Sequence, residues 1–170
     1  MAIGRKGRLA VALVASVAAI GLLLFWPSTN PVMIHARVRV LGPRTVYGNL
    51  TCCSGDALPW DEVVRGVRSG EPRWLELAVA FKPALDTHPG EEMVTAVAAA
   101  LTANPPAAVE LLIPAYGADL VCAGQGSEDP VDAAGARGRL AALASVHQTS
   151  HELALCREVL ARIVGAGGGA

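Results

Sequence analysis

The chain has 170 residues, 52% of them hydrophobic and only 4% aromatic, with a formal charge of −1. That length is enough for one domain whose core needs no metal or disulfide support. Past residue 26 the balance turns acidic, with 11 Lys/Arg against 15 Asp/Glu, which excludes the basic footprint of a nucleic-acid binder.

Residues 1–8 form a basic segment carrying Arg5, Lys6 and Arg8. An unbroken apolar run of 18 residues follows, Leu9 to Trp26. At ~1.5 Å of helix rise per residue it reaches ~27 Å, the depth of a thin hydrocarbon core. We read 9–26 as a transmembrane signal anchor, with Trp26 at the membrane–water interface. A cleaved signal peptide is the alternative. The small pairs it needs, Ser16 with Ala18 or Ile34 with Ala36, lie inside the apolar run or make a poor site. The basic flank favours a cytoplasmic N-terminus, although Arg37, Arg39 and Arg44 on the far side blunt the bias.

Residues 27–58 read as a tether and irregular loop. From His35 to Leu41, Ala36, Val38 and Val40 alternate with Arg37 and Arg39, a period of two that predicts a short strand or an extended linker. Tyr47 to Asp56 is turn-rich and holds Cys52 and Cys53. Residues 59–164 read as a helical domain. Pro59–Arg68 is a short helix closed by Ser69 and Gly70. Pro72 opens the next, with Trp74, Leu77, Ala78 and Phe81 at helical spacing. Asp86 or Thr87 caps a third, which buries Met93, Val94, Val97 and Leu101. Asn104 caps a fourth, Pro105–Ile113, followed by an irregular stretch, 114–126, containing Cys122. A longer helix is expected from Asp129–Pro130 to about His147, with Leu140, Leu143 and Ala144 on its apolar face. Thr149 and Glu152 make a capping box for the last helix, whose stripe is Leu153, Cys156, Leu160 and Ile163. Residues 165–170 read as a disordered glycine tail.

The expected fold is all-α: one transmembrane helix, then a bundle of about six short antiparallel helices. The stretch Trp74-Leu75, Ala99-Ala100-Leu101-Thr102-Ala103-Asn104-Pro105 and Val109-Glu110-Leu111-Leu112 resembles a loose group of exported bacterial helical proteins. That resemblance implies hairpins packed as in HEAT repeats, and carries no activity with it.

Four cysteines in an exported domain point to disulfides. Cys122 with Cys156 is the natural pair, since one lies on a core stripe and the other in the loop expected to cover it. Cys52 and Cys53 are left as a redox switch, an intermolecular bond, a partner for Cys122 or Cys156, or plain loop cysteines, and a bond between these neighbours would close a strained ring. No C-x-x-C spacing occurs. His147 and His151 are four apart, the spacing of two metal ligands on one helix. The cap at Thr149 instead places them on either side of a turn. Glu91 and Glu92, adjacent on a helix, diverge by ~100° and do not form a glycosidase pair.

These features give an expectation and a rival. The expectation is a single-pass protein of the bacterial inner membrane, its C-terminal domain in the periplasm. It would be an interaction module for an unidentified protein, not an enzyme, and without cofactor or metal. Its role would be that of an envelope-complex accessory or an immunity protein, and its contact surface the Tyr47–Trp60 loop or a helix face. The rival is an envelope enzyme or thiol-redox protein whose site gathers Cys52, Cys53, His147 or Glu92 from distant positions.

Overall fold

The computed structural model describes residues 29–52, 59–85, 89–125, 131–147 and 149–167. The anchor Leu9–Trp26, the basic segment before it, Cys53, the caps at Asp86 or Thr87 and the helix start at Asp129–Pro130 lie outside the described residues.

All regular structure among the described residues is helical, so the fold is all-α. In chain order the helices are α1 (Pro31–Leu41), α2 (Pro43–Thr51), α3 (Pro59–Arg68), α4 (Pro72–Phe81), α5 (Pro89–Ala103), α6 (Pro105–Tyr116), α7 (Ala118–Ala123), α8 (Ala133–Ala144) and α9 (His151–Gly167). A 3-10 turn, Lys82–Ala84, closes α4. The first six helices all open on proline. Proline suits that position because its fixed φ fits the helix and its missing N–H would have had no partner there. None of the described helices is long and apolar enough to cross a membrane.

Two successive hairpins form the centre. Helix α3 packs on α5 and α4 packs on α6, while each hairpin also closes on itself. Polar bonds link equivalent points of the two hairpins. Trp60 Nε1 donates to Glu92 at 3.1 Å, and Asn104 Nδ2 donates to the Gly70 carbonyl at 2.9 Å. The Tyr116 hydroxyl donates to the Ala78 carbonyl at 2.7 Å, and Lys82 Nζ to the Ala115 carbonyl. Helix α1 lies on α4 and α2 on α3; at the other end α7, α8 and α9 cover α5 and α6.

Small residues set the spacing. Ala96, Ala100 and Ala108 are fully buried beside Met93, Val97, Leu101 and Leu112. The stripe Trp74, Leu77, Ala78 and Phe81 is buried as its spacing implies, with Leu75 added.

Several expectations from the sequence need correction. The strand or linker over His35–Leu41 is instead the body of α1. Asn30 Oδ1 accepts the Val32 N–H at 2.9 Å, Pro31 occupies the first turn, and Ile34 and Val38 are buried one turn apart. The alternation misled because Val40, counted with the buried set, is exposed. The turn-rich segment from Tyr47 opens as α2, which buries Val46 and Leu50. The helical body therefore begins at residue 31, well ahead of residue 59, and has more helices than the six expected.

The segment 114–126 is largely ordered as well. Helix α6 continues through Pro114, whose lost hydrogen bond falls in the last turn, and α7 follows after Gly117 alone. Gly42 and Gly117 share one backbone conformation, φ +83° and +86° with ψ 154° at both. Each is the single residue between two helices, in a region essentially confined to glycine. Ala144, expected on the core face of α8, is exposed. The last helix is capped by Ser150, whose Oγ accepts the Leu153 N–H at 3.1 Å, and not by Thr149. It also runs through part of the expected glycine tail. At Gly167 a Cβ would stand 2.6 Å from the Cβ of Ala133, so helix α9 ends close against the start of α8.

Candidate functional site

Cys122 and Cys156 form a disulfide, with Cα atoms 5.6 Å apart and both residues fully buried. It joins α7 to α9. Closing a separation of 34 residues stabilises the fold by about 3–4 kcal/mol in the chain-entropy model. Arginines finish the same region. Arg139 Nη1 donates to the Cys122 carbonyl at 2.7 Å and the Val121 carbonyl at 3.4 Å, in the last turn of α7. Arg157 Nη2 donates to the Leu143 carbonyl at 3.2 Å, at the end of α8. Helix C-terminal carbonyls lack intrahelical partners and favour cations. Burial pushes the pKa of Arg139 down from its ordinary value. The bond is thus enclosed in a satisfied core, out of reach of a thiol substrate.

Of the loop proposed for contacts, residues 53–58 lie outside the described residues, Gly48, Asn49 and Cys52 are exposed, and the aromatics at its two ends are turned inward. Trp60 is 2% exposed. Its ring meets Tyr47 edge-on at 5.0 Å and Phe81 at 5.6 Å. Tyr47 is half-buried on α2, and burial raises the pKa of its phenol. These two aromatics fasten α2 and α3 to α4. Cys52, at the end of α2, is exposed and disulfide-bonded. With Cys122 and Cys156 taken, the remaining cysteine of the four is Cys53, outside the described residues.

His147 follows α8 and His151 opens α9, so the two histidines flank the interhelical turn and share no helix. No group of three or more His, Cys, Asp and Glu stands at metal-binding distance among the described residues. Glu91 and Glu92 are exposed, and Glu92 serves as the acceptor for Trp60.

Clefts complete the inventory. One of about 420 Å³ lies between α1 and α4, lined by Val32, His35, Arg39, Arg73 and Glu76 among others. One of about 350 Å³ lies between α7 and α9. Two further clefts, of about 300 and 200 Å³, are lined mainly by α3 with α5 and by α6 with the start of α9. None of these four sets a Cys, Ser or Thr nucleophile beside a histidine. The α1–α4 cleft stands apart for a different reason. Val32 and Val40, 52% and 66% exposed, are the exposed large hydrophobics among the described residues, and both are on α1. Sequence reading missed this face because the period-two pattern put Val40 on the inner side. The signal that marks it is helical: Val32, Ala36, Arg39 and Val40 fall within one arc of ~100°.

No family model, no curated protein and no solved structure matches the chain.

Proposed function

We propose that the protein is a membrane-tethered, extracytoplasmic helical module that binds a protein partner. The observation that carries this reading is the pairing of two features. An 18-residue apolar run with a basic flank ends at Trp26, and a closed, disulfide-bonded helical body starts five residues later at Pro31. Disulfides persist in oxidising compartments outside the cytoplasm. Cleavage after Ala36 would cut α1 in two, although Ile34 and Val38 both belong to the core. That favours an uncleaved anchor. The described clefts, with no assembled nucleophile and base, favour binding over catalysis.

The test is alkaline extraction of membranes from cells expressing the chain. The full chain stays with the membrane pellet, and a chain lacking residues 1–28 is released. Release of the full chain refutes the tether. For the binding half, photo-crosslinking residues placed on exposed helix faces give discrete protein adducts in intact cells. Absence of adducts at every exposed face refutes it.

One observation keeps a second reading open. Cys52 is exposed and oxidised, which suits a thiol-exchange role better than the enclosed Cys122–Cys156 bond does. Under that reading a mild dithiol reduces the Cys52 bond in the folded protein while Cys122–Cys156 survives, and the reduced protein passes its electrons to a disulfide substrate. Resistance of both bonds removes it.

A further inference from the structure

We infer that the outer face of α1, with Arg73 of α4, docks on the anionic phospholipid surface of the membrane that holds the chain. The inference rests on the tether proposed above and adds which surface of the body faces the bilayer.

Reach supports it. From Trp26 to Pro31 is five residues, at most ~18 Å of extended chain. With Trp26 at the interface, the start of α1 at Pro31 lies within that distance of the headgroup region. Side-chain character agrees. Val32, Ala36 and Val40 are exposed along α1, and Val32 and Val40 are separated by ~12 Å along the axis. A helix lying flat on the surface brings both into the headgroup–acyl boundary, the geometry of interfacial amphipathic helices.

Charge selects the headgroup. From residue 27 to residue 55 there are three arginines and no acid. Arg37 is turned inward, at 8% exposure. Arg39 is exposed on the same arc as the valines, and Arg73 faces it across the cleft with His35. Among the described residues, neither Arg39 nor Arg73 makes an ion pair or side-chain hydrogen bond. Glu76 lines the same cleft and is its one carboxylate. Two guanidinium groups against one carboxylate leave a net positive cleft flanked by exposed valines. Long arginine stems can rest on the apolar boundary while their heads meet phosphate.

The test uses the full chain reconstituted into vesicles, with Val40→Cys carrying an environment-sensitive fluorophore and Ala161→Cys on the exposed side of α9 as reference. In mixed phosphatidylglycerol–phosphatidylcholine vesicles, the label at 40 is quenched by lipid-borne nitroxides and protected from aqueous iodide; the label at 161 shows the reverse. Arg39→Gln with Arg73→Gln, both at exposed positions, shifts the docking equilibrium about 25-fold toward water, at roughly fivefold per charge. Pure phosphatidylcholine has a similar effect. If the chain resists alkaline extraction but the label at 40 stays open to iodide, the docking inference fails while the tether stands, and the face is left to a protein. If the chain is extracted, the tether fails and the inference with it. Equal protection in both vesicle types, or no response to the arginine changes, overturns the anionic headgroup as the partner.

Discussion

Gly66→Ala separates helix propensity from packing, because the two predict opposite signs. Gly66 sits inside α3. On propensity alone, alanine in a helix interior is favoured by about 1 kcal/mol. The structure opposes this. A Cβ at position 66 would lie 2.3 Å from Trp74 Cδ2, 2.5 Å from Cε2 and 2.7 Å from Cγ. Cγ is the root of the side chain, so rotating the ring does not remove the contact, and Trp74 is buried between neighbours. Overpacking a core costs about 1–3 kcal/mol, and contacts this short belong at the upper end. The net is a loss of about 2 kcal/mol. A body of about 140 residues has an unfolding entropy near 0.3 kcal/mol/K, so the midpoint falls by about 7 °C. Urea unfolding followed by circular dichroism measures the loss, and a double-mutant cycle assigns it. In a Trp74→Leu background, Gly66→Ala becomes neutral or stabilising. A Gly66→Ala variant more stable than the parent refutes the close approach of α3 and α4.

Cys122→Ala with Cys156→Ala lowers stability by about 3–4 kcal/mol, a midpoint drop of roughly 10–13 °C by calorimetry; a change under about 1 kcal/mol contradicts the constraint assigned to this bond. Asn104→Ala removes both the cap accepted from Ala107 and the bond to Gly70, and costs about 1–2 kcal/mol in urea titrations; no loss contradicts the cross-hairpin link. The carboxyl of Glu152 is held below its ordinary range, first by its own backbone N–H, then by Ser150 and His151. A depressed pKa means its support of α9 is complete above the unfolded carboxyl pKa and is lost as pH falls through the folded value. Glu152→Gln therefore flattens the acid limb of a stability–pH curve, and an unchanged limb contradicts this.

What was legible in the sequence was whatever local chemistry decides. The stripe from Trp74 to Phe81, the Asn104 cap and the turn between His147 and His151 were readable because spacing and caps act within a few residues. The Cys122–Cys156 pair was reached from its place on the α9 stripe. Helix α1 was missed because one alternating run satisfies two periods, and only burial of Ile34 and Val38 against α2 and α4 decides between them. The sequence marks Trp60 only as the end of the Tyr47–Trp60 loop and the second residue of a helix. Its role depends on Tyr47, Phe81 and Glu92, brought together by tertiary packing that no local pattern encodes. The exposed face of α1 became visible only once the helix replaced the strand.

The central claim is a helical body held outside the cytoplasm by an uncleaved anchor. Proteolysis of spheroplasts from the outside tests it most directly, with an epitope tag after residue 170. The account predicts that external protease removes the tag and leaves a small membrane-bound fragment containing Leu9–Trp26, while lysis changes nothing further. A soluble mature form beginning after residue 18 or 36, or a tag fully protected until lysis, would contradict it.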